Sequence, residues 1–176
     1  KRMTNEIKLT ILLARKGAPV PAIWDVDIDE AKIIMEKIEG KPLIEILRSN
    51  EHDEELLIKV GRSIRELHRN AVNHGDLSTN NILISDNRDA FLIDLGLATR
   101  EYDLEGFGID LHVLHEILRA SHPDVKGAMD LVLKGYSQLD EELGKPEAAP
   151  GGFPPDAEDV IKRLGQIMKR VRYHGG

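Results

Sequence analysis

His74-Gly75-Asp76-Leu77-Ser78-Thr79-Asn80-Asn81, followed by Leu92-Ile93-Asp94-Leu95-Gly96, is the stretch that decides the fold. Between these blocks lie Ile82-Leu83-Ile84 and Ala90-Phe91-Leu92-Ile93, short apolar runs that read as strands. The linking Ser85-Asp86-Asn87-Arg88-Asp89 is rich in turn formers, so the pair predicts a β-hairpin. Such a hairpin brings Asn81, at one strand's start, beside Asp94, at the other's end.

An H-x-D triplet, an asparagine five residues after its aspartate and a downstream D-[FL]-G are the spacing of a phosphoryl-transfer site. Asp76, Asn81 and Asp94 fall at those offsets. Phosphoryl transfer needs in-line positioning and neutralisation of phosphate charge more than covalent help. Asp76 is of the type that accepts a hydroxyl proton and orients an attacking group. Asn81 and Asp94 offer oxygen ligands from neighbouring strands, which suits Mg²⁺ that also takes oxygens from nucleotide phosphates. The expected cofactors are therefore ATP and Mg²⁺. Either motif alone also describes an ordinary turn; the two in order, joined by a hairpin, carry the reading.

Composition bounds the rest. At 176 residues, 41% hydrophobic and 31% charged, the chain has the make-up of one globular domain, or of a domain missing a piece. A net charge of −7 argues against generic polyanion binding by the whole surface, although a local basic patch is compatible with it. Cysteine is absent, which removes disulfides and thiolate metal sites and fits a reducing compartment. No apolar run approaches membrane-spanning length and no secretory signal opens the chain, so the expectation is a cytoplasmic protein with no membrane partner.

Taken in order, residues 1–16 predict a helix with Ile7, Ile11 and Ala14 on one face, widened by Leu9, Leu12 and Leu13, and Gly17 as its stop. Two readings of Glu6 stand: a glutamate that pairs with a lysine on a preceding strand, as in kinases, or a solvated acid near a helix N-terminus. A glycine-rich loop and a lysine-bearing strand are not found before Lys1, and neither Gly106-Phe107-Gly108 nor Gly144-Lys145 substitutes for them. The chain is expected to be truncated there, or to lack a segment of the full protein. Strands are predicted at Ala22–Val26 and Ala31–Ile38. The second would end in a hinge, with Met35, Glu36 and Ile38 beside an adenine and Leu83 and Ile93 as its buried apolar floor. Helices are predicted at Pro42–Arg48 and from Asp53 to Ala71, with Asp53 near the N-cap and His68 as a packing or surface residue. Only thirteen residues, Leu97–Ile109, separate the second motif from Asp110, and no A-P-E motif follows. That leaves no platform for an extended peptide. Ile109–Ala120 predicts a helix whose Asp110 either caps it or anchors the backbone of the 74–81 loop, and whose His112 and His115 lack a third metal ligand. Further helices are expected at Asp124–Leu139 and Asp156–Val171, with Gly144–Pro155 as a mobile loop between them. Lys162, Arg163, Lys169, Arg170 and Arg172 on the last helix read as a solvated face or as a footprint for RNA phosphates.

These blocks together resemble one family: the small atypical kinase subunits of the KEOPS (EKC) complex, the p53-related protein kinase family. The resemblance rests on Arg2-x-x-x-Glu6 with Ala14–Pro21, Ile34-Met35-Glu36-x-Ile38-x-Gly40, the two motifs above, Ile109-Asp110-Leu111, Ser121-His122-Pro123 and Gly135-Tyr136. It implies a minimal two-lobed α+β kinase fold, with a partial N-lobe over residues 1–38 and a mostly helical C-lobe over 39–176. It also implies Mg²⁺·ATP, ATPase activity with Ser/Thr phosphorylation, and support of threonylcarbamoyl modification of tRNA. By carry-over Asp76 is catalytic, Asn81 and Asp94 hold the metal, and Glu6 belongs to the nucleotide site. The C-lobe would dock a threonylcarbamoyl-transferase subunit, the N-lobe a small regulatory subunit, and the basic last helix tRNA. Three rivals are a RIO-type kinase, whose metal motif usually lacks a glycine such as Gly96; an aminoglycoside-type phosphotransferase, which usually has His where Ser78 stands; and a non-catalytic nucleotide-binding scaffold.

Overall fold

The computed structural model describes residues 2–149 and 151–175; Lys1, within the predicted first helix, and Pro150, within the predicted loop, lie outside them. Helix α1 (Arg2–Arg15) leads into an antiparallel pair, β1 (Ile23–Asp27) and β2 (Lys32–Met35). Strand β3 (Gly40–Pro42) and helix α2 (Leu43–Arg48) precede the long helix α3 (Glu54–Arg69). The predicted hairpin is present as β5 (Ile82–Ser85) and β6 (Ala90–Leu92), with β3 added to form a three-stranded sheet in the order β3-β5-β6. The short strands β4 (Val72–Asn73) and β7 (Thr99–Arg100) pair across the 74–97 segment and close it into a loop. Helices α4 (Leu104–Ser121), α5 (Ala128–Leu143) and α6 (Ala157–His174) complete the chain.

The core centres on α3. Leu56, Leu57, Val60, Ile64 and Leu67 are buried at helical spacing, and the Asp53 carboxylate accepts the Leu56 amide at 2.8 Å as the N-cap. Two glycines let the α3 and α5 backbones touch. A Cβ on Gly61 would collide with the Val132 carbonyl, and one on Gly135 with the Ile58 carbonyl. Ile82, Ile84 and Leu92 of the hairpin face this core, while Leu83 and Phe91, paired across the ladder, face away from it.

Several expected boundaries move. On α1 the buried residues are Leu9, Thr10 and Leu13; Ile7 and Ile11 are only half-buried. The helix is rotated because Asn5 Nδ2 donates to the Ala98 carbonyl at 2.8 Å and the helix packs on the Leu95–Leu97 turn. Strand β2 stops at Met35, where Glu36 turns back and its carboxylate accepts the Ala22 amide at 3.0 Å. Helix α4 begins five residues before the predicted start, because Asp103 caps it through the Glu105 amide and the stripe Leu104, Phe107, Leu111, Leu114 continues across Ile109. Helix α5 starts at Ala128 rather than Asp124, after Gly127 at φ +72°, and runs past Leu139 to Leu143, where Gly144 at φ +78° ends it. Helix α6 runs three residues past Val171.

Candidate functional site

The turn after α3 enters the 74–81 segment with Ala71 in the left-handed region (φ +57°), its carbonyl accepting the Glu101 amide at 2.9 Å. Gly75 follows at φ +78°, and a Cβ there would strike the Leu97 carbonyl. The next residue, Asp76, is exposed. Asn81 Nδ2 donates to the Asp76 carbonyl at 2.9 Å and lies 3.2 Å from Asp76 Oδ2. The Ile93 amide donates to the Asn81 carbonyl at 3.0 Å, which sets Asp94 next to Asn81 as the hairpin reading expects. Asp94 is exposed and also left-handed (φ +57°); one of its carboxylate oxygens accepts the Gly96 amide at 3.4 Å.

His74 ties the two motifs together. Its Nε2 lies 2.9 Å from the Ile93 carbonyl, which can only accept, so Nε2 carries the proton and Nδ1 is left to accept the Asp76 amide at 3.3 Å. One buried imidazole thereby spans from Asp76 to the residue before Asp94.

Asp110 anchors the loop from below, the second of the two readings available from sequence. Its Oδ2 accepts the His74 amide at 2.6 Å and its Oδ1 the Gly75 amide at 3.0 Å. The carboxylate is 2% exposed and sits in the second turn of α4 rather than at the start. Behind it lies a network that sequence reasoning did not assemble. His68 Nε2 lies 3.0 Å from Asp110 Oδ2, and His68 Nδ1 lies 2.7 Å from the Tyr136 hydroxyl. Arg65 donates to that hydroxyl at 3.3 Å and forks onto Asp140 at 2.8 and 2.9 Å. His68 is therefore a fully buried hydrogen-bonding node, not simply a packing or surface group. Burial holds its pKa below the ordinary histidine value, with Arg65 and His74 adding to the effect against the pull of Asp110. Burial likewise pushes the Tyr136 phenol well above its usual range. Tyr136 stands out in the sequence only within the Gly135-Tyr136 block, and Arg65 and Asp140 carry no local signal.

The remaining candidates are placed as follows. Glu6 is half-buried on α1. Met35 is exposed, and Glu36 and Ile38 are half-buried in the irregular link between β2 and β3. Leu83 and Ile93 are half-buried, not buried as expected, because they occupy the hairpin face that looks away from α3. On α6, Lys162, Lys169, Arg170 and Arg172 are exposed, but Arg163 and Arg170 both pair with Glu105 of α4, so the basic face is partly neutralised. No group of three or more His, Cys, Asp or Glu side chains able to hold a metal occurs among the described residues, His112 and His115 included. The Asp76, Asn81 and Asp94 set has only two acids, and its fit to Mg²⁺ rests on oxygen donors. With Nδ2 committed to Asp76, Asn81 has Oδ1 left as a donor to a metal, on a residue whose backbone carbonyl is bonded to the Ile93 amide next to Asp94. No described helix is long and apolar enough to cross a membrane.

With this geometry in place, comparisons locate the chain among known proteins. The RIO domain family matches residues 2–121. The "KEOPS complex subunit Bud32" of Pyrococcus abyssi is 33% identical over 177 residues, covering 98% of this chain and 74% of the relative. The "Probable serine/threonine-protein kinase BUD32 homolog" of Archaeoglobus fulgidus is 31% identical, covering 98% and 77%. The "Probable bifunctional tRNA threonylcarbamoyladenosine biosynthesis protein" of Methanosarcina acetivorans is 35% identical over 98% of this chain, which spans only 28% of that longer protein. A solved structure of WbdD with the kinase inhibitor LY294002 superposes with a TM-score of 0.53 at 20% identity, covering 80% of this chain and 36% of the other. The fold is a minimal protein-kinase-like α+β fold. Gly96, read from sequence as setting the chain apart from RIO-type kinases, does not do so. The chain belongs to the RIO-domain family and, within it, to the Bud32 group.

Proposed function

We propose that the chain is an ATP-dependent phosphotransferase or ATPase that supports threonylcarbamoyl modification of tRNA as part of a KEOPS-type complex. The observation that carries this is the joint placement of Asp76, Asn81 and Asp94, held by the Asn81–Asp76 bonds and the Ile93–Asn81 backbone bond. Asp76 accepts the proton of the attacking hydroxyl or water and orients it. Asn81 Oδ1 and Asp94 hold Mg²⁺, which when bound neutralises phosphate charge. His74 keeps these groups in register by bridging the Asp76 amide and the Ile93 carbonyl.

The other assignments follow the same reading. Residues 1–38 belong to the N-lobe and 39–176 to the C-lobe, with Met35, Glu36 and Ile38 along the hinge and Leu83 and Ile93 under the adenine. Glu6 on α1 completes the nucleotide site. The C-lobe docks a threonylcarbamoyl-transferase subunit, the N-lobe a small regulatory subunit, and exposed Lys162, Lys169 and Arg172 approach tRNA, with Arg163 and Arg170 available once Glu105 releases them. Localisation is cytoplasmic. The test is ATP hydrolysis by the chain with and without the transferase subunit and tRNA. Stimulation by both is expected; Mg²⁺-dependent nucleotide binding with no turnover in any combination would instead favour the scaffold reading.

A further inference from the structure

The anchor beneath the 74–81 loop is a one-way chain of hydrogen bonds, and its direction is fixed by which groups can only donate. Arg65 has no acceptor, so the Tyr136 oxygen accepts from Nη1 at 3.3 Å. The hydroxyl proton of Tyr136 is then directed to His68 Nδ1 at 2.7 Å. A ring nitrogen that accepts carries no proton, which leaves the ring proton on Nε2, facing Asp110 Oδ2 at 3.0 Å. The opposite tautomer would set an unprotonated nitrogen against a carboxylate and strand the tyrosine proton between Arg65 and an N–H. Asp110 passes the constraint on by accepting the His74 and Gly75 amides. At its far end the same Arg65 donates to the Pro155 carbonyl at 2.7 Å, and Asp140 Oδ2 accepts the Ala157 amide at 2.8 Å. Arg65, His68 and Tyr136 are wholly buried, so water cannot substitute for a missing member.

We propose that Tyr136 is a positioning residue for the loop that carries Asp76: by donating to His68 Nδ1 it locks the imidazole whose Nε2–H holds Asp110 against the His74 and Gly75 amides, and through Arg65 and Asp140 it couples the entry to α6 with that loop. The inference rests on reading residues 74–81 as the catalytic loop. The groups facing His68 are Arg65 on its own helix, Asp110 on α4, Tyr136 on α5 and His74 from the loop, with the Phe107 ring 4.8 Å away.

The test uses ¹⁵N-labelled chain, reading the His68 ring nitrogens by long-range ¹H–¹⁵N correlation and the His74 and Gly75 amides by hydrogen exchange. In the wild type His68 is expected as a single Nε2–H tautomer. Tyr136→Phe, which removes only the hydroxyl, leaves the Nε2–H selected by the Asp110 carboxylate but strips Nδ1 of its donor, and is expected to shift the Nδ1 resonance and to give about tenfold faster exchange at both amides. Wild-type His68 protonated on Nδ1, or unchanged exchange in Tyr136→Phe, would overturn the proposal. Should that variant not fold, His68→Gln and His68→Leu decide the matter. Gln retains an N–H for Asp110 and is expected to protect both amides better than Leu, and equal exchange in the two would overturn it. Neither readout requires ATP turnover, so failure of the proposed activity leaves this result distinct.

Discussion

Asn81 Nδ2 lies 3.2 Å from Asp76 Oδ2 and 2.9 Å from the Asp76 carbonyl oxygen, so the residue proposed to bind the metal also fixes the proposed base. Asn81→Ala removes both roles. Being half-exposed, the bonds are worth about 1 kcal/mol to the fold, which a urea titration would register as a small midpoint shift. Turnover is expected to fall much further than this stability loss explains, with a raised Mg²⁺ requirement. An unchanged Mg²⁺ titration would remove Asn81 from the metal site.

Gly75 tolerates no side chain. Its φ of +78° and the Leu97 carbonyl in the path of any Cβ mean that Gly75→Ala must shift either the loop or the turn after Asp94. A cost of about 2 kcal/mol is expected in denaturant unfolding. Wild-type stability in this variant would show that the loop can re-route freely.

Asp110 accepts three donors in a site closed to water: the His74 amide, the Gly75 amide and His68 Nε2. Asp110→Ala leaves all three unpaired and is expected to lose about 3 kcal/mol or more. Asp110→Asn restores an acceptor for some of them and is expected to lose less. Calorimetric melting of the pair would rank them, and the reverse order would contradict the network.

Stability is expected to decline on mild acidification because of His68. Burial lowers its folded pKa below the ordinary value of about 6.5, so the folded state stays neutral while the unfolded chain takes up a proton. This contribution is fully present above that value and is lost as pH falls below it, at up to about 1.4 kcal/mol per pH unit. His68→Gln is expected to flatten this limb of a stability curve; an identical curve in wild type and variant would assign the dependence elsewhere.

The parts of this molecule legible in sequence are those whose partners are close in the chain. The β5–β6 hairpin, its turn, the stripe of α3 and the Asp53 cap all depend on separations of a few residues, and their patterns are strong. Asp110, which its bonds to the His74 and Gly75 amides make the anchor, was legible only as a cap or an anchor, because helix starts and loop anchors share a residue type. The His68–Tyr136–Arg65–Asp140 network was not, since its members are up to 75 residues apart and each looks ordinary in its own helix. The face of α1 is centred on Leu9 and Leu13 of the expected stripe rather than on Ile7 and Ile11 for a related reason: Asn5 reaches Ala98, 93 residues away. Helix α4 starts before Ile109 because Asp103 caps it, and Gly106 and Gly108 within it give room for the Glu101 and Asn73 side chains and for α6.

Asp94, set beside Asn81 in its left-handed turn, is the residue proposed to hold the metal that turnover needs. The most direct measurement is Mg²⁺-dependent ATP hydrolysis by wild type and Asp94→Asn, alongside their thermal melts. The substitution is expected to cost about a hundredfold or more in turnover with the melting temperature essentially retained. Equal hydrolysis by the two proteins, or none by either, would contradict this role for Asp94.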